Sequence, residues 1–148
     1  MSKFLGLREE HMDLFGTVSA GSSYTSGKAF TATDSYGSYI AGNIIQRTAD
    51  DIALWRAKLL ITTAFASSGS AKLQVKIEGA HALSGGSLSS AVKLYESSEI
   101  ALSDLTAGAW LLDMILPSGY EFYQVSLKPV TAAMTAGTVK GWVEPEFN

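Results

Sequence analysis

The chain has 148 residues, of which 17% are charged and 47% apolar, with a net charge of −3 and no cysteine. That is enough for one domain with its own core, and too apolar for a disordered chain. It excludes disulfides and thiolate metal sites, and the 11 scattered basic residues form no patch to offset nucleic-acid phosphate, so no nucleic-acid partner is expected.

Residues 1–15 mix charge with large apolar side chains: Phe4, Leu5, Leu7, Met12, Leu14 and Phe15. The stretch Arg8 to Asp13 has room for a helical turn or two. No long apolar stretch follows Lys3, so this start does not read as a signal peptide. It reads as an extended N-terminal arm, with residues 16–148 forming a single β domain. Residues 16–48 are rich in Gly, Ser, Thr and Tyr, which predicts loops and irregular strands.

A clearer pattern begins near residue 52. Lys58 to Phe65 is apolar and rich in β-branched residues, and Ser67-Ser68-Gly69-Ser70 is a turn. Lys72-Leu73-Gln74-Val75-Lys76-Ile77 alternates strictly, which predicts a strand burying Leu73, Val75 and Ile77 and wetting Lys72, Gln74 and Lys76. Ser84-Gly85-Gly86-Ser87 breaks the chain, and Val92-Lys93-Leu94-Tyr95 is a further strand. Ala109 to Leu116 is an apolar strand ended by Pro117-Ser118-Gly119. Tyr123 to Lys128 alternates again, and Thr138 to Val143 closes the series. Glu144 and Glu146, flanking Pro145, read as a solvated tail. Short strands separated by Gly/Ser turns predict an all-β fold, an antiparallel sandwich formed mainly from residues 52–145. Apolar runs such as 110–112 and 114–116 are far too short to span a membrane, so no membrane partner is expected.

The chemistry-bearing residues do not converge in sequence. His11 and His81 show no metal-ligand spacing, and each reads as an exposed loop or turn histidine. No GxSxG elbow or P-loop occurs. Asp50 and Asp51 precede Ile52 and read as a turn, since a calcium loop needs more carboxylates at alternating positions. No catalytic, cofactor-binding or metal-binding residue is therefore expected. Trp55, Trp110, Trp142, Tyr120, Phe122 and Tyr123 suit either a sugar-stacking platform or a sandwich core and its rim.

One resemblance covers roughly residues 55–145. The run Leu59-Leu60-Ile61-Thr62-Thr63-Ala64-Phe65 leads through a Ser/Gly turn to Ala71-Lys72-Leu73-Gln74-Val75-Lys76-Ile77. Ser87-Leu88-Ser89-Ser90-Ala91-Val92 follows, then Ala107 to Leu112, then Leu116-Pro117-Ser118-Gly119-Tyr120-Glu121-Phe122-Tyr123, then Met134-Thr135-Ala136-Gly137-Thr138-Val139. This order resembles the jelly-roll capsid cement, or decoration, proteins of tailed bacteriophages, of the Bordetella-phage type. The L-P-S-G and T-A-G-T-V pieces are short, and their order and spacing carry the likeness. Residues 1–54 depart from it with a longer N-terminal region.

The resemblance implies a jelly-roll-like fold, no catalytic residues and no cofactor. It implies synthesis in the host cytoplasm and a place on the outer surface of the virion capsid. The implied partners are the major capsid protein and other copies of this chain, as a dimer or a trimer. Phe4, Leu5 and Leu7 of the arm are the expected partner-binding residues. Two other expectations remain open: a tail or baseplate structural protein, and a carbohydrate-binding β-sandwich module displaying a coplanar aromatic pair.

Overall fold

The structure, a computed structural model, describes residues 13–15, 27–47 and 54–146. They form β1 (Asp13–Phe15), β2 (Lys28–Ala29), β3 (Ile40–Gln46), β4 (Leu54–Ala66), β5 (Lys72–Ala80) and β6 (Ala82–Ser84). There follow β7 (Ser87–Ser89), β8 (Val92–Glu96), β9 (Ile100–Ala101), a single 3₁₀ turn at Leu102–Asp104, β10 (Trp110–Ile115), β11 (Phe122–Val130) and β12 (Ala136–Glu146). The fold is all-β, an antiparallel sandwich. One sheet runs β1-β12-β4-β10, with β2 also on β12; the other runs β3-β11-β5-β8, with β9 also on β5.

Alternation decides which residues lie between the sheets. On β4, Trp55, Ala57, Leu59 and Ile61 are buried while Leu54, Arg56, Lys58 and Leu60 face outward. On β5, Leu73, Val75 and Ile77 are fully buried, as their spacing predicts. From the facing strands, Tyr123, Val125 and Leu127 of β11 and Val139 and Val143 of β12 join the same core. Its area removed from water is the main stabilising contribution, at roughly 25 cal/mol per Å². β11 tolerates Pro129 because β3 pairs only as far as Leu127. Beyond that point the Pro129 carbonyl accepts from the Gly37 N–H of a loop, so the missing N–H interrupts no ladder.

Three sequence expectations need correcting. The core reaches well before residue 52, because Leu14, Phe15, Phe30 and Ile45 are buried in it. Short elements in Gly/Ser-rich surroundings carry too few alternations to be read as strands. Second, Asp13–Phe15 is a strand paired with β12, so the last three residues of the expected arm belong to the sheet. Third, Glu144 and Glu146 are no tail: β12 continues to Glu146, opposite Leu54. Proline at 145 resembles a strand end in sequence, whereas here it sits inside the register, opposite Trp55. The stretch 8–12, the pair Asp50-Asp51 and His11 lie outside the described residues.

Between β5 and β8 the chain makes a small separate ribbon, β6–β7, with Leu83 opposite Leu88. Its two-residue turn, Gly85-Gly86, has φ of 59° and 80°, the left-handed pair that matches a hairpin's twist.

Candidate docking face on the first sheet

The outward side chains of β10, β4 and β12 fall into rows fixed by the strand register. Ile115 lies beside Arg56 and Glu144, Asp113 beside Lys58 and Trp142, and Trp110 beside Leu60 and Lys140. Trp110 is 48% exposed and Ile115 38% exposed. The two indoles meet edge to face, with centroids 5.8 Å apart and planes at 67°. Lys58 Nζ lies 5.3 Å from the Trp110 ring centroid, a cation–π contact.

Diagonal charge pairs hold this array in place. Arg56 Nη1 is 2.9 Å from Asp113 Oδ1, and Lys58 Nζ is 3.7 Å from Glu144 Oε2. Trp142 Nε1 donates to Glu144 Oε1 at 2.7 Å. Each exposed ion pair stabilises the fold little, about 0–1 kcal/mol. Together they limit the rotamers of long side chains, so a partner that covered the face would cost them less entropy. Tryptophan and arginine are the residue types most enriched among the side chains that dominate protein interfaces.

The outer face of the second sheet is polar. Tyr39 donates to Glu96 Oε2 at 2.6 Å. Lys76 and Lys128 lie 4.1 and 4.7 Å from its ring centroid. Burial, then the bond to Glu96 and the charges of Glu96 and Glu78, push the Tyr39 hydroxyl well above its ordinary 10.0. The Tyr39 hydrogen bond and then Lys93 hold Glu96 below the ordinary 4.5. Asp34, at the turn before β3, is also lowered: burial raises it, but the Thr31 N–H and Lys28 outweigh burial.

The aromatics singled out in the sequence separate into distinct places. Trp55 and Tyr123 are in the core, and the Tyr123 hydroxyl donates to the Pro117 carbonyl. Tyr120 stacks on the exposed His81, with centroids 5.0 Å apart, at one end of the sandwich. Only Trp110 and Trp142 meet on an open sheet face, and they are not coplanar. Phe4, Leu5 and Leu7 lie outside the described residues. Sequence reading missed Arg56, Lys58, Lys140 and Asp113 as members of one face. The available signal was the alternation from Leu54 to Ile61, which begins before the apolar run that marks the strand.

Among the described residues, no group of three or more His, Asp or Glu side chains converges as a metal site would require. A cleft of about 310 Å³ opens between β2 and β3, and Lys28 is the one titratable side chain among its described lining residues. Lys28 is bound to Asp34 at 3.0 Å. No helix among the described residues is long and apolar enough to cross a membrane. No protein-family model matches the chain, and no curated protein is significantly similar to it in sequence.

Proposed function

We propose that this protein is a non-catalytic capsid cement protein that binds the outer surface of a bacteriophage head and braces contacts between major capsid subunits. The observation that carries this reading is the ion-paired Trp110–Trp142 face, whose exposed tryptophan, arginine and lysine side chains have the chemistry of an interface. The chain path supports it as well. Taking β1, β3, β4, β5, β8, β10, β11 and β12 as first to eighth, the sheets run 1-8-3-6 and 2-7-4-5. We read that order as a jelly roll, an eight-stranded path of two Greek keys that recurs in viral capsid proteins. Repetition supplies strength: a modest interface, used many times over by linked subunits, gains avidity.

A tail or baseplate protein would share this physics and differ in address. The carbohydrate-binding alternative is weaker, since Trp110 and Trp142 stand at 67° and Lys58 lies over the Trp110 ring. The test is to mix the purified protein with undecorated heads and with tails from the lysate of the phage that encodes it, and to image both. Regular density on head exteriors is the expected result. Density confined to tails, or binding to neither, overturns the reading.

A further inference from the structure

We infer that the partner surface covered by the Trp110–Trp142 face is apolar and uncharged, so that docking is driven by apolar burial and not by charge. The inference rests on the proposed function and names the chemistry of the partner at that same site. Its first ground is where exposed apolar side chains gather. Among the described residues six large apolar side chains are well exposed, and three of them, Leu54, Trp110 and Ile115, stand on this face. Trp110 lies beside Leu60 at one end. At the other, Ile115 lies opposite Arg56, and Leu54 is two residues before Arg56 on the same side of β4. Apolar residues scattered singly need no explanation, whereas a group on one face marks an interaction site.

The second ground is the balance of charge. β4, β10 and β12 contain three basic residues, Arg56, Lys58 and Lys140, and three acidic ones, Asp113, Glu144 and Glu146. They sum to zero, on a chain whose net charge is −3. Arg56 and Lys58 already hold carboxylates of the same face, and Lys140 is engaged as well. A charged group on the partner would have to displace one of these contacts and leave the displaced ion buried in the interface, which is costly. An apolar partner leaves the pairs intact. Their side chains are between 23% and 44% exposed, so part of their desolvation has already occurred on folding. A face without net charge also supplies no field to steer a charged partner from a distance.

Occupancy on undecorated heads, measured across salt at limiting protein concentration, tests the inference. Between roughly 0.05 and 0.5 M sodium chloride the screening length shortens about threefold, and occupancy should change by less than about twofold. Sodium sulfate at equal ionic strength should raise occupancy, because sulfate strengthens apolar burial. Leu54→Ser and Ile115→Ser should each lower it several-fold while the melting curve stays close to that of the unaltered protein. The salt series uses the unaltered chain, so it decides the question even where a substitution disturbs folding. Occupancy that falls about tenfold or more as salt rises overturns the apolar partner and leaves the head reading in place. Occupancy that neither substitution alters does the same. Heads left bare at every salt concentration remove the head reading, and this partner with it.

Discussion

Tyr39 donates its hydroxyl hydrogen to Glu96 across 2.6 Å, although 57 residues separate them, and two lysines sit over its ring. The contact ties the chain entering β3 to the edge strand β8. It also makes stability depend on pH in two directions. Tyr39 holds its proton more tightly when folded, so its contribution is complete below pH 10 and is lost as the pH rises above that ordinary value. Glu96 is held below its ordinary 4.5, so its contribution is complete above that value and is lost as the pH falls below it. Melting temperature against pH, measured for the protein and for Tyr39→Phe, should show flatter acid and alkaline limbs in the variant. Curves that run parallel throughout would show that the pair contributes nothing.

The Trp110–Trp142 face should separate binding from folding. Trp110→Ala removes a half-exposed ring, so its cost to stability should stay near 1 kcal/mol or less, whereas a central interface tryptophan is worth about 2 kcal/mol or more of binding. Occupancy on heads should fall by more than tenfold at limiting protein concentration. Unchanged occupancy would move the docking surface elsewhere.

Gly137 has φ of 136°, and the ring of Phe65 occupies the place where a Cβ would stand. Gly137→Ala should therefore cost several kcal/mol, from backbone strain and collision together. In a Phe65→Ala background the same change should cost less, because the collision is gone. Strict additivity of the two changes in denaturant unfolding would assign the whole effect to the backbone.

Val75 and Lys76 are neighbours on opposite faces of β5. Val75→Asp places an unpaired charge in the core and should destabilise by several kcal/mol or prevent folding. Lys76→Gln gives up the Tyr39 ring contact and the ion pair with Glu78, both near the surface, for about 1 kcal/mol or less. Equal shifts in thermal unfolding would contradict the assigned faces.

Phe4, Leu5 and Leu7 remain candidates for a partner contact. Burying such a side chain is worth roughly 1.5–3 kcal/mol each. Deleting residues 1–10 spares Leu14 and Phe15, so the truncated chain should still fold, yet decorate heads poorly. A collapsed melting curve would place the segment in the domain's own core instead.

The alternation on β5 was legible in the sequence because one wet face and one dry face leave a period of two, and β11 shows the same period although its outward Ser126 is buried. The outer array was not, because it is assembled by register: Asp113 is set beside Lys58 and Trp142 only by pairing three strands distant in sequence. No local pattern encodes that adjacency. Leu14 and Phe15 are plainly apolar, but a three-residue strand shows no period, and their burial follows from a partner near the other end of the described chain.

That partner, β12, lies between β1 and β4 in the middle of its sheet, although it is the last described strand. During synthesis, Leu14 and Phe15 therefore emerge early and wait for nearly the whole chain before their cover arrives. β4 waits likewise, with the long edge that β12 will occupy bare on the nascent chain. The second sheet waits as well, because β11, which joins β3 to β5, is separated from the start of β12 by only five residues. Both sheets are thus completed only by the last strands of the described chain, through contacts distant in sequence, and such topologies fold slowly.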